Sequence, residues 1–563
     1  MRSLAGWGGC IALGAGLRFA QLTTKPLWTD EFATIVFSLG NSFQTVPLDR
    51  LVTVDQLLFP LRPDPTATVG SVVHYLLTES NHPPLYYILT HFWLKLFPTQ
   101  DGWVSVGGAR SLSALFGVVA IPAIFGLAWV AFRAVSVARS AALLMALSPF
   151  AVYLSLEARH YTLAIVWIVA SLTCLVVVVQ SLWNYTAPSL TVCLLWVGVN
   201  GLGVATHYFV ALTLVAEAIV LLGVAGLQLG QKGLSSGWWR VGIAVVGTIA
   251  AGLVWLPFLS TIQDSALTQW VSPDEDDFSW QTPLVQSIAG WITMLYLAPI
   301  QATVPWVRQL AAVGLAGITA YTIPAICRGL SDRTLLKPQS VRLLGGFVLA
   351  AIALFWGITY GAGMDLTVAF RYNFVFFPAV IVLLAAGAGA LWERSPHVSR
   401  WYLRRSSLIL MGLVSLLGAV TVVTNLSYQK THQPNRVVDA IQANSQFPVI
   451  VAIAHETHGQ TGRLMGIAWE FQRRLEKDPT IAMPRFLLAH QGSEDPTPAY
   501  AALQRTLDTL PRPLDVWLLN FRSPLNTGRR QVLNPQGCRV RSERTVVDGY
   551  KYQLYRCSVE KSD

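Results

Sequence analysis

Apolar residues along this chain gather in repeated blocks of roughly 18 to 22, the length a helix needs to cross about 30 Å of hydrocarbon. A first block at residues 6–22 is followed by blocks at 110–130, 140–155, 162–181, 187–205, 208–228, 241–260, 305–327, 343–361, 374–391 and 406–424. The pattern predicts a polytopic α-helical membrane protein of about eleven spans. The first block follows Arg2, but no small-x-small cleavage site precedes LTTKPLW, so it reads as a retained span. The stretch 83–97, PPLYYILTHFWLKLF, is short and carries His91 and Lys95. Parity decides its place. If it does not cross, the basic residues of the short loops, from Arg133 to Arg405, share the side of Arg2, as positive-inside bias requires. It therefore reads as an interfacial helix, with Tyr86, Tyr87 and Trp93 suited to the headgroup level.

This threading divides the chain into a membrane domain, 1–424, and an extracytoplasmic domain, 425–563. The first outer loop covers 23–109, and a second, 261–304, holds Asp264 and the acidic run Asp274, Glu275, Asp276 and Asp277. That run reads as a solvated acidic loop or as a substrate lid. In the polar tail, PVIVAIA (448–454) and PLDVWLLNF (513–521) read as buried strands, 463–477 as an amphipathic helix and 546–556 as an alternating strand. A small α/β domain is expected.

Composition agrees. The chain has 563 residues, 53% hydrophobic and 12% charged, where a soluble protein carries about 25% charged residues. The net charge of +10 is scattered through short loops, which is a topology signal and argues against a nucleic-acid partner. None of the six cysteines has zinc-type spacing. Cys538 and Cys557 lie in the tail, where an oxidising compartment would let them pair across a hairpin.

Candidate chemistry collects at the outer ends of the blocks. Asp30 and Glu31, in KPLWTDEFAT, follow the first span closely; paired carboxylates there suit a general base or a metal ligand, although such a pair is usually just solvated. In ESNHPPLYY, Pro83 and Pro84 fix the start of a helix that would present His82 to an anion, or leave it exposed beside a capped helix. Glu157, Arg159, His160 and Tyr161 interrupt apolar sequence between two spans, either as an interfacial anchor or as a phosphate site built on Arg159. Arg18, Arg110 and Arg371 with Tyr372 lie at outer span ends, where positive-inside bias would not place them; function is one explanation and snorkelling the other. His207 lies at another outer turn, and Glu217 is an acid within a span.

Taken in order, LRFAQLTTKPLWTDEFAT, NHPPLYYILTHFWLKLF, RSLSALFG, SPFAVYLSLEARHYTL and FRYNFVFFPA resemble the membrane-embedded GT-C glycosyltransferases. The resemblance is greatest to the protein O-mannosyltransferase and aminoarabinose transferase superfamily, in its bacterial family-39 members. It covers 17–391 and rests on the order and spacing of the motifs. It implies a GT-C fold, a polyprenyl-phosphate sugar donor, inverting transfer to an acceptor hydroxyl on a glycan, lipid or protein, and a bacterial inner-membrane location with the tail in the periplasm. By position, Asp30 matches the base of the family, with Glu31 beside it. Arg110, Arg159, Arg371, Tyr372 and His82 would bind the donor phosphate, and Glu157, Tyr161 and His207 the substrates.

Aminoarabinose transferases carry a Glu before Lys-Pro-Pro that can bind a metal, where this chain has Asn81 and His82. No cofactor is therefore assigned; a divalent cation is compatible with the sequence but not required by it. Two other readings remain. One is a transporter or flippase of lipid-linked sugars, although no internal repeat is evident. The other is a noncatalytic envelope-assembly protein working through its tail.

Overall fold

The computed structural model describes residues 2–99, 101–259, 279–302, 304–393, 401–428, 432–492, 495–521 and 532–558. The acidic run 274–277 and Asp264 lie outside the described residues. The chain forms two compact units. One comprises Met1–Leu22, Asn81–Tyr86 and Ala109–Gln429; the other comprises Thr23–Ser80, Tyr87–Gly108 and Lys430–Asp563.

The first unit is helical. Among the described residues, six helices are long and apolar enough to cross a membrane: Val106–Phe132, Tyr161–Trp183, Val210–Leu229, Pro305–Leu330, Pro338–Gly361 and Ser406–Val423. A seventh is broken, Val135–Leu147 and Pro149–Ser155 meeting at 55°. Shorter apolar helices run over Gly8–Phe19, Leu190–Thr206, Trp238–Leu253 and Phe377–Glu393. Such helices satisfy their own backbone, which hydrocarbon demands. Their outward side chains, Leu222, Val313 and Leu349 among them, are large, apolar and exposed. The segment 83–97 forms only Leu85–Leu94, ten residues and about 15 Å, half the hydrocarbon thickness. A helix at Thr282–Thr293, not anticipated from the pattern, lies within the segment 261–304, which the pattern reads as a loop.

Small residues let the central helices touch. A Cβ added at Gly387 would stand 2.6 Å from the Ile326 carbonyl oxygen, and one at Gly389 would stand 2.8 Å from the Val137 nitrogen. The Phe377–Glu393 helix can therefore lie against both Val135–Leu147 and Pro305–Leu330.

The break at Ser148 has a defined cost. Pro149 has no N–H to give the Met145 carbonyl four residues back, and the turn also frees the carbonyl of Ala146. Arg18 supplies both bonds: Nη2 donates to Met145 O at 2.8 Å and Nη1 to Ala146 O at 3.0 Å. Its side chain is fully buried. Gly117 makes room for it, since a Cβ there would stand 3.0 Å from Arg18 Nε. Arg18 is thus neither a snorkelling residue nor an exposed ligand group.

Among the described residues, the second unit is built on a seven-stranded sheet. Its strands are β1 (Leu51–Val52), β2 (Val449–His455), β3 (Arg485–His490), β4 (Leu514–Leu519), β5 (Cys538–Val540), β6 (Thr545–Val547) and β7 (Tyr550–Cys557). The order is β1-β3-β2-β4-β7-β5, with β6 paired to β7. Strands β3, β2 and β4 run parallel, joined by helices His458–Leu475 and Thr497–Asp508. Buried on both faces, β2 and β4 are almost uniformly apolar, as central parallel strands are.

The expected strand 546–556 is instead a hairpin, β6 and β7, turning at Asp548-Gly549 with Gly549 at φ +82°. Cys538 and Cys557, direct neighbours in the register of β5 and β7, form a disulfide. Strand β1 comes from the segment 23–109 and pairs antiparallel with β3, so that segment and the tail share one sheet.

Replacing Arg18 with Met should leave the Met145 and Ala146 carbonyls unpaired, at about 1–3 kcal/mol each. The expected result is a clearly lowered thermal midpoint for the detergent-solubilised protein. A wild-type midpoint would show that the break is satisfied in some other way.

Candidate active site

In the first unit the polar turn between Pro149–Ser155 and Tyr161–Trp183 is held by Ser113. The Ser113 hydroxyl donates to the Arg159 carbonyl at 2.8 Å and accepts from the Arg159 N–H at 3.2 Å. The Tyr86 hydroxyl reaches the same oxygen at 2.7 Å, and Thr162 donates to the Ser113 carbonyl at 2.9 Å. A buried hydroxyl inside the apolar helix Val106–Phe132 thus fixes the backbone of Arg159.

Arg159 Nη2 lies 3.2 Å from His82 Nε2. A guanidinium only donates, so the His82 nitrogen accepts, which places the ring proton on Nδ1 and keeps the ring neutral. Around this pair stand His160, 5.4 Å from the His82 ring, and His207, 4.5 Å from the His160 ring. Tyr161 lies 5.6 Å from His207, and the Arg159 guanidinium covers the Tyr161 ring at 5.7 Å. Arg371 lies over Tyr372 at 5.7 Å and is close enough to act electrostatically on both His160 and His207. Glu157 hydrogen-bonds Tyr153.

His160 and His207 occupy turns outside the helices. Burial first, then the neighbouring imidazoles and the two guanidiniums, hold both well below the ordinary histidine value. Both rings are therefore neutral at pH 7, and the charge of the cluster is that of Arg159 and Arg371 against Glu157. It suits a bound anion.

The structure thus gathers His82, Glu157, Arg159, Tyr161, His207, Arg371 and Tyr372, which the sequence scatters over nearly three hundred positions. Arg110 has a backbone partner. Fully buried, it donates from Nη1 to the Leu22 carbonyl at 2.6 Å, at the end of the first apolar block.

In the second unit, Asp30 and Glu31 open the helix Thr29–Ser38, where carboxylates favour the helix dipole. Glu31 is fully buried and Asp30 half-buried, so Asp30 is the accessible member of the pair. Tail residues surround this turn. Thr29 Oγ1 lies 3.1 Å from His432 Nδ1, and a Cβ at Gly462 would stand 3.0 Å from the Thr29 side chain.

His458 stacks on Phe43 at 5.1 Å and meets Phe37 edge-on at 5.7 Å. Burial pushes the His458 imidazole down to about 4 while Asp30 pulls it back. Burial also lowers Arg463, against the opposing pull of Tyr550 and Asp30. The sequence reading missed these tail residues because nothing local links them to a motif four hundred positions away. Among the described residues no three His, Cys, Asp or Glu side chains group as a metal shell.

A helical membrane unit with arginines in its inter-helix turns, joined to an α/β unit, is a GT-C architecture. The chain is similar in particular to ArnT from Cupriavidus metallidurans in the apo state, with a TM-score of 0.51 at 12% identity over 98% of both chains. The structure of that protein bound to undecaprenyl phosphate aligns with a TM-score of 0.49 at 12% identity, covering 98% of this chain and 97% of the other. The Archaeoglobus fulgidus oligosaccharyltransferase in complex with zinc and sulfate gives 0.46 at 12% identity, covering 82% of this chain and 61% of its own. No family model matches the sequence, and no curated protein does.

The lowered His458 value makes a signed prediction. With a folded value of about 4 against about 6.5 unfolded, the unfolded chain binds the extra proton first as pH falls. Stability of the second unit should decline from pH 6.5 towards 4, and His458→Phe, which keeps the stacked ring, should flatten that decline. Hydrogen exchange in the His458–Leu475 helix across this range is the measurement. An equally steep decline in the variant would assign it to His455, which burial also pushes to about 4.

Proposed function

We propose that this protein transfers a sugar from a polyprenyl-phosphate donor to an acceptor hydroxyl on the extracytoplasmic face of the membrane. The observation that carries the reading is the Arg159–His82 pair with Arg371 beside it, a basic, largely buried cluster in inter-helix turns of a chain with a GT-C fold. A sugar on a lipid phosphate already has a good leaving group. The protein must orient the acceptor, take its proton and stabilise the departing phosphate.

In this reading Asp30 is the base that accepts the acceptor proton as the oxygen attacks the anomeric carbon. The bond from that carbon to the phosphate oxygen breaks with inversion. Arg159 and Arg371 neutralise the charge left on the phosphate, with His82, Tyr372 and the buried imidazoles shaping their surroundings. Glu157 orients the cluster through Tyr153. Arg110 acts indirectly, by fixing the end of the first span at Leu22. The Cys538–Cys557 disulfide supports an oxidising compartment for the tail, and the periplasmic side of a bacterial inner membrane fits it.

Transfer of radiolabelled sugar from synthetic undecaprenyl-phosphate hexoses and pentoses to an envelope extract, by purified protein in liposomes, tests this. Asp30→Asn should lower the rate by about 10²–10⁴, and Arg159→Ala or Arg371→Ala by about 10²–10³ each, with the protein still folded. Labelled lipid crossing the liposome without being consumed would replace the enzyme by a transporter.

A further inference from the structure

Strands β3, β2 and β4 run parallel, so their carboxyl ends share one edge of the sheet. From β2 the chain crosses by helix His458–Leu475 to β3 on one side, then by helix Thr497–Asp508 back past β2 to β4 on the other. Right-handed crossovers in opposite directions put their helices on opposite faces. Ala499, Leu503 and Leu507 of the second helix accordingly pack with Ile450, Ala452 and Leu487 on one face. The loops leaving β2 and β3 therefore part to opposite faces, and open α/β sheets bind their ligands in the crevice at such a switch point.

The residues at this point are polar. His455, at the end of β2, pairs in register with His490, at the end of β3. The Gln491 N–H donates to the His455 carbonyl at 3.0 Å, and Gln491 Nε2 donates to Glu456 Oε1 at 2.6 Å. A carboxylate only accepts, so this bond fixes which way the Gln491 amide points. Gln491 is only 5% exposed, yet its Oε1 has no protein partner among the described residues, and neither has the buried His455 Nδ1. The other ring nitrogen of His455 lies 2.9 Å from Thr461 Oγ1, which holds the ring in place. Buried polar atoms are nearly always paired, so two orphans on adjacent strand ends mark a place for the polar groups of a ligand.

The donor set selects the ligand. Gln491 Oε1 and the Glu456 carboxylate take O–H donors. The start of helix His458–Leu475, which could otherwise attract an anion, is closed by its own capping box. There Thr457 Oγ1 accepts from the Gly459 N–H at 3.2 Å and Gln460 Oε1 from the Thr457 N–H at 2.8 Å. The set suits a neutral polyol better than an anion.

We propose that the crevice at the carboxyl ends of β2 and β3, with Gln491, Glu456 and His455, is a saccharide-binding site that holds the acceptor glycan. Its role as acceptor site rests on the transferase reading; saccharide binding does not. Helix His458–Leu475 starts at this crevice and packs on the Asp30 helix, its first residue meeting Phe37 of that helix edge-on. A glycan held by the strand ends is thus tied to the helix that bears the proposed base.

The test titrates the full-length protein in nanodiscs with free neutral pentoses, hexoses and their disaccharides, and with inorganic phosphate, reading Kd by saturation-transfer NMR. No donor lipid is present, so binding is read apart from transfer. Wild type should bind at least one saccharide. Gln491→Met should weaken that binding about fivefold, the worth of one neutral hydrogen bond, and Asp30→Asn should bind as wild type does. In the transfer assay Gln491→Met should raise KM for the acceptor by a similar factor and leave kcat unchanged. Absence of saccharide binding to wild type, binding of phosphate in its place, or a wild-type Kd in Gln491→Met overturns the proposal.

Should Gln491→Met not fold, Gly492→Trp decides in its place. Gly492 is exposed and a Cβ there meets nothing within 4 Å, so a bulky side chain fits beside the crevice without disturbing the packing. Weakened saccharide binding supports the proposal and an unchanged Kd overturns it. Saccharide binding by a protein that transfers from none of the donors would leave this site standing and remove the transferase reading, a separate failure.

Discussion

A broken helix in hydrocarbon leaves carbonyls that no water can satisfy, and the first unit depends on how this chain satisfies them. The bend at Ser148–Pro149 turns the chain by 55°, and Arg18 holds the freed carbonyls of Met145 and Ala146. Without that bend, Pro149–Ser155 would continue the preceding helix. With it, the chain arrives at the turn bearing Glu157, Arg159 and His160. An arginine of the first helix thereby helps determine where the cluster stands. Two neighbouring devices serve the same end: Gly117 clears space for the guanidinium, and Ser113, one helical turn away, grips the Arg159 backbone.

The second unit solves a different problem. A half-buried carboxylate such as Asp30, left in a loop, would have no fixed position. Here its helix is sandwiched in a domain whose sheet draws on both ends of the chain, and its immediate surroundings, His432, His458 and Arg463, are contributed by the tail. The tail is thus more than an appendage to the membrane helices.

What the sequence revealed and what it hid divide along a physical line. Composition and block length are local, so the apolar helices, the short Leu85–Leu94 segment and strands β2 and β4 could be read from it. Arg159, Arg371 and His207 stood out as polar residues where lipid-facing sequence should be apolar. Arg18 stood out for the same reason, but its role did not, because the partner of a guanidinium is a tertiary fact. Arg110 shows the same limit, since its buried bond to the Leu22 carbonyl is a tertiary contact that no local pattern announces. The β6–β7 hairpin was missed despite its Asp-Gly turn, because alternation of apolar residues continues through the turn. Strand β1, two residues long, has no periodicity to detect, and its pairing with β3 is wholly nonlocal.

That pairing also bears on how the protein is made. Asp49, beside β1, bonds the His490 backbone across 441 residues of sequence. Ribosomes add roughly 5–20 residues per second, so the first loop waits on the order of half a minute for the strand it must join. During that time every intervening apolar helix has to be inserted. The segment bearing Asp30 therefore spends its early life without its sheet, and the domain around it closes only after strand β3 has been made. A chain truncated in the tail would leave this loop permanently unfinished even with all its membrane helices in place.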